Sequence, residues 1–169
     1  FARKYPFDAA TKAQFQKIHQ QASFTVIQGY ENEKRYKDAI SGYLTFVKEN
    51  PRSEFADKAL YNSIRCANLQ GDLLQAAGLI ETLLKDYPDT SYRSELTKNL
   101  VTIYEAQAQL GKAARAHLKV AELEPQKKWA HTLRAADYFA LDNQWAEASN
   151  LYQQILDKAP EKPEWPIAK

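Results

Sequence analysis

The chain has 169 residues, 44% hydrophobic and 26% charged, the make-up of a folded soluble protein with room for one or two compact domains. No apolar run approaches the ~18 residues needed to cross a bilayer. The net charge of +2 gives no electrostatic hold on nucleic acid or an anionic membrane.

Phe1-Ala2-Arg3-Lys4-Tyr5-Pro6 reads like the close of a helical unit, as Leu84-Lys85-Asp86-Tyr87-Pro88 does. With no methionine and a start inside an element, the chain is expected to be a processed or excised piece of a longer protein, in which a removed signal peptide would not show. Apolar residues then recur at helical spacing, and no stretch alternates long enough for a strand, so the class is all-α. Residues 8–34 predict one long helix, broken near Gly29, and 36–49 its partner. Next come 54–70 with 73–86, then 91–108 with 111–123, then 127–141 with 144–158. Ser53, and Thr90 or Ser91, are the expected N-caps, since their oxygens can accept from free N–H groups of a first turn. Gly71-Asp72 and Asp142-Asn143 break the second and fourth pairs. Pro160 to Lys169 cannot continue a helix; Trp165 and Ile167 would pin this tail to the last pair.

The helix pairs are a repeat. Pro51, Pro88, Pro125 and Pro160 fall at intervals of 37, 37 and 35 residues. Each follows an alanine twelve positions earlier (Ala39, Ala76, Ala113, Ala148), itself three residues after Tyr36, Leu73, Leu110 or Trp145. Each proline ends a second helix by withholding a backbone donor. The repeats cover about 20–51, 57–88, 94–125 and 129–160. An extension over 8–19 precedes them in a single domain of 1–160, and 161–169 is a Pro-rich tail or linker. The long first helix would cover the otherwise open face of the first repeat.

Chemistry-bearing residues are few. His19, His117 and His131 lack a second ligand at metal-site spacing, which favours solvated or partly packed histidines and no metal. Cys66 has no base partner in sequence and reads as a small buried thiol. There is no Gly-rich phosphate loop and no Gly-x-Ser-x-Gly elbow. Asp57, Asp72, Glu81 and Asp86 are scattered, with no pair marked for acid–base work. The expectation is a non-enzyme without a cofactor.

These residues resemble the tetratricopeptide repeat family. Tyr30, Tyr36, Ala39, Tyr43, Phe46 and Pro51 match its pattern in the first repeat, and Leu60, Ala67, Gly71, Ala76, Leu83 and Pro88 in the second. Tyr104, Leu110, Ala113 and Pro125 match in the third; Ala136, Phe139, Trp145, Ala148, Tyr152 and Pro160 in the fourth. The intervals of 37 exceed the family's usual ~34, and the third repeat has Gly111 in place of a glycine at the usual turn position. The longer Tyr-Pro-x-Ser/Thr join resembles a bacterial envelope subgroup that includes the outer-membrane-protein assembly lipoprotein and the periplasmic coordinator of the Tol-Pal system. Many cytosolic bacterial repeats share that join.

The resemblance implies a right-handed α-solenoid of about four hairpins whose first helices line a concave groove. In-register alignment gives three rows there: Thr25, Asn62, Asn99, Arg134; Gln28, Arg65, Thr102, Asp137; and Phe24, Tyr61, Lys98, Leu133. Asparagine can donate to and accept from a peptide backbone at once, and arginine and lysine donate to carboxylates. Phe24, Gln28, Tyr61, Asn62, Arg65, Lys98, Asn99, Thr102 and Arg134 are therefore the candidate partner-binding residues, although the polar letters also read as ordinary solvent-facing side chains. The family's chaperone-carboxylate clamp carries over only at Asn62, or at Asn99 with Arg134 in a shifted frame, so that activity is not implied. The expected role is a scaffold for a peptide or protein partner in a bacterial complex. Its expected place is periplasmic or at the outer membrane, with the cytoplasm as alternative, and it binds no nucleic acid. Oligomerisation, a spacer role against a larger parent protein, and substrate recognition for an enzyme outside this segment are the competing readings.

Overall fold

The computed structural model describes residues 8–158. Among them are eight α-helices and no strand: α1 Ala9–Asn32, α2 Tyr36–Glu49, α3 Ala56–Gln70, α4 Leu73–Asp86, α5 Arg93–Ala106, α6 Leu110–Leu123, α7 Lys128–Leu141 and α8 Trp145–Lys158. A single 3-10 turn, Pro125–Lys127, leads into α7. The expectations for Phe1 to Pro6 and for the tail from Pro160 lie outside the described residues. The chain divides into two compact units, Phe1–Tyr87 and Pro88–Lys169. In the first, α1 packs on α2, α2 on α3 and α3 on α4; in the second, α5, α6, α7 and α8 follow the same order. Packing between chain neighbours is what a repeat of hairpins requires.

Local chemistry explains each boundary. Asp8 caps α1 by accepting from Thr11 N at 2.7 Å, and Asp72 caps α4 by accepting from Gln75 N at 2.9 Å. Ser53 and Thr90 do not cap α3 and α5 as expected. Their hydroxyls accept from Phe55 N and Tyr92 N, two residues on, forming hydroxyl turns ahead of helices that start at Ala56 and Arg93. Asn50, Tyr87 and Glu124 each give the last helical hydrogen bond, to Phe46, Leu83 and Val120, and the proline that follows stops the helix. Gly29 does not break α1: its carbonyl accepts from Glu33 N at 3.0 Å in the regular helical pattern.

The hairpin turns share one device. Lys34, Gly71, Ala108 and Asn143 hold left-handed φ of 59°, 74°, 52° and 60°. In each case the next residue's N–H reaches back to Tyr30, Ala67, Tyr104 or Phe139, closing the helix end. The third turn is therefore made by Ala108, not by Gly111, which lies buried in the first turn of α6.

The core follows the repeat. Ala39, Ala76, Ala113 and Ala148 are at most 2% exposed, which lets paired helices approach closely. Seven residues after each lies Phe46, Leu83, Val120 or Ile155, all buried, each worth roughly 1.5–3 kcal/mol of burial. In the first unit Phe24 packs on Tyr43, Phe46 and Phe55 at ring separations of 5.3, 5.9 and 6.0 Å. In the second, Ala114, Ala135, Phe139 and Ala148 form a core cluster.

Candidate functional site

The candidate residues separate by burial. Phe24 and Asn62 are 6% and 5% exposed and belong to the first unit's own packing. Phe24 is held in the aromatic cluster, and the Asn62 amide donates to the Tyr43 hydroxyl at 3.2 Å. Neither offers a partner much surface. Gln28, Tyr61 and Asn99 are half-buried, while Arg65, Lys98, Thr102 and Arg134 are exposed.

In the first unit the polar residues converge on Glu31. The Tyr43 hydroxyl donates to Glu31 Oε2 at 3.1 Å, and Arg65 pairs with Oε1 of the same carboxylate at 3.2 Å. Burial above all, with the negative charge of Glu31 adding to it, pushes the Tyr43 phenol up despite its bond from Asn62. Burial, with Glu31 again adding, also pushes the Cys66 thiol up to about 11. Fully buried, Cys66 stays a thiol at neutral pH, as the sequence suggested.

In the second unit Lys98 pairs with Glu124, which Lys127 also reaches at 3.4 Å. Two further helices meet α5 at Glu105, the carboxylate in its last turn. Tyr138 of α7 donates to its Oε1 at 2.7 Å, and Nε2 of His117 on α6 lies 3.1 Å from the same oxygen. The other ring nitrogen of His117 faces Nδ1 of His131 at 2.9 Å. The His117 ring stacks on Tyr138 with centroids 5.6 Å apart. Burial would raise the Glu105 carboxyl, but hydrogen bonds from Tyr138 and His117 outweigh it and hold it below the ordinary range. Burial holds both histidines below their usual 6.5, and for His117 it outweighs the pull of Glu105.

The sequence treated these histidines as separate, and the structure corrects this. Fourteen residues apart, they meet across the α6–α7 packing. The signal was in the register: His117 occupies the repeat position of Tyr43, Ile80 and Tyr152, an inward one, and Glu105 that of Glu31. Among the described residues no group of three or more His, Cys, Asp or Glu side chains could hold a metal ion.

The comparisons bear on the fold. Residues 58–90, which span α3 and α4, match a family model described as tetratricopeptide repeat. BtubC (BKLC) from P. vanneervenii has a similar structure at 11% identity and a TM-score of 0.50, over 89% of this chain and 69% of its own. Nearly identical TPR-like repeats, ascribed to a kinesin light chain of Podosopora anserina, are similar at 14% identity and a TM-score of 0.48, over 82% of this chain and 74% of theirs. Among curated proteins none matches the chain. At such identities the likeness concerns the fold: TPR-like helical hairpins, generally a protein–protein interaction scaffold and typically non-catalytic.

Proposed function

We propose that this chain is a non-catalytic scaffold that holds a peptide or protein segment carrying carboxylates against the exposed polar side chains of its first helices. One observation carries this reading. Arg65 on α3 and Lys98 on α5 remain 51% and 52% exposed although each is anchored by a carboxylate of its own unit. Anchoring fixes where the cation sits and leaves further N–H donors free for a ligand. Thr102 and Arg134, exposed, and Gln28, Tyr61 and Asn99, half-buried, add hydrogen-bonding groups. Phe24 and Asn62, buried in the first unit's own packing, take no direct part. The test selects binders from a displayed library of acidic peptides on the immobilised chain and measures them against Arg65→Glu, Lys98→Glu and Arg134→Glu combined. A loss of about tenfold or more with unchanged helicity is expected. Equal binding by the triple variant places the site elsewhere.

The Tyr87-Pro88-Asp89-Thr90 join favours a bacterial envelope assembly, periplasmic or at the outer membrane. Immunodetection in fractions of the source cells checks it; a purely cytoplasmic signal would remove the envelope assignment and leave the scaffold standing. No helix among the described residues is long and apolar enough to cross a membrane. A second reading, a spacer or oligomerisation module packed against more of a larger protein, draws on Ile18 and Val26 of α1, 52% and 62% exposed. Light scattering over a concentration series tells the two apart: self-association that Val26→Lys abolishes favours the second.

A further inference from the structure

His117 is the one buried titratable side chain near neutrality among the described residues, and partner binding makes no use of it. Its surroundings fix its protons. The Glu105 carboxylate only accepts, so His117 Nε2, 3.1 Å away, carries a hydrogen. In the neutral ring Nδ1 is then an acceptor, so the Nδ1 of His131 that faces it at 2.9 Å must donate. The neutral pair is thus a directed chain, His131 to His117 to Glu105, with Tyr138 donating to the same carboxylate oxygen. It links the end of α5, the middle of α6 and the first turn of α7.

A first extra proton can enter this chain at Nε2 of His131. His131 is the less buried ring, and as an imidazolium it still donates through Nδ1. A second proton has only Nδ1 of His117 left to take. Both facing nitrogens would then carry hydrogen at a separation made for one, and two cations would sit in ring contact. The surrounding charges do not offset this. Glu105 on α5, with Arg134 and Tyr138 on α7, faces His117, whereas Glu124 and Lys127, just before α7, and Lys98 on α5 face His131. Of these Glu105 and Glu124 favour protonation, and Arg134, Lys98 and Lys127 oppose it. Glu124 is already engaged by Lys98 and Lys127.

We propose that His117 and His131 form a one-proton clasp that holds α5, α6 and α7 of the second unit together at neutral pH and releases them when both rings are protonated. The first unit has no counterpart, because Tyr43 and Ala59 fill the matching positions and do not titrate in this range.

Nitrogen-15 NMR of the histidine rings together with amide exchange on the whole chain tests the clasp. At about pH 7.5, His117 should be the Nε2–H tautomer and His131 the Nδ1–H tautomer. On acidification to about pH 5, exchange in α6 and α7, corrected for its intrinsic pH dependence, should accelerate by roughly tenfold or more, since each unit of lowered pKa is a factor of ten in opening. Helices α2 and α3 should show no such change. His117→Tyr, which installs the residue found at this position in the first and fourth hairpins, should keep the link to Glu105 and abolish the acid response. Independent titration of the two rings with other tautomers overturns the proposal, as does an acid response that persists in His117→Tyr or appears equally in α2 and α3. The wild-type tautomers decide the matter even where the variant fails to fold.

Discussion

The two units each carry a polar knot at the same repeat positions, centred on a glutamate in both but closed by different partners. In the first, Glu31 on a first helix accepts from Tyr43 on the second, and Asn62 of the following helix closes over the hydroxyl. In the second, Glu105, His117 and Arg134 stand in those places, with Tyr138 where the first unit has Cys66. Both tie a hairpin to its successor within one unit. A phenol does so at any pH a cell meets, whereas His117 must also accept from His131, which it does only while one of its nitrogens is free. A polar residue at a core position therefore sets the conditions under which neighbouring repeats stay joined, as well as their stability.

Removing the phenolic oxygen should break the comparison hardest. Tyr43→Phe keeps the ring in the aromatic cluster but orphans the buried Asn62 amide, at an expected cost of about 1–3 kcal/mol in urea unfolding. The loss should be the same at about pH 7.5 and about pH 5.5. His117→Phe should cost less at the higher pH, roughly 0.5–1.5 kcal/mol, because the more exposed Glu105 regains water when its donor goes.

The pH dependence then separates the units. His117 and His131 are held below 6.5 in the folded chain, so below that value the unfolded chain binds more protons. Stability of the second unit is full above about pH 6.5 and falls as pH drops through the lowered values. Glu105, also held down, contributes stability that is present above the ordinary carboxyl range and lost further into acid. Both slopes have the same sign, in successive windows. The penalty of His117→Phe should accordingly shrink at about pH 5.5, where the wild type has begun to lose the link. A penalty constant with pH would remove the difference between the two knots.

Much of this was legible as letters, because the repeat aligns Ala39 with Ala113 and Phe46 with Val120, and burial follows the alignment. Helix starts were read less well. Ser53 and Thr90 are good caps by type, but Phe55 and Tyr92 still have to turn the chain before the helices begin, so those hydroxyls serve the turn. At the candidate surface, Arg65, Lys98, Thr102 and Arg134 are exposed, whereas Phe24 and Asn62 are buried, because in the first unit those positions also meet Tyr43 of α2. Ligand spacing along one helix does not reveal the histidine pair. The contact is made between helices, and only the repeat register places His117 inward.

The finest contrast lies in the turns. Gly71 closes the α3–α4 turn with φ 74°, and Ala108 closes the α5–α6 turn with φ 52°. The backbone task is identical, yet one residue has no Cβ and the other strains its own against the following carbonyl, by roughly 1–2 kcal/mol. A glycine in the unfolded chain gives back roughly 0.5–1 kcal/mol of that in entropy. Ala108→Gly should therefore stabilise the second unit by about 0.5–1 kcal/mol, and Gly71→Ala should destabilise the first by a similar amount. Nothing lies within 4 Å of the Cβ that Gly71→Ala would add, so packing cannot mask the backbone cost. Opposite signs in the two denaturation midpoints would show that the conformation of this one residue is what the repeat conserves at its turn. Equal signs would mean that Ala108 is held left-handed without strain.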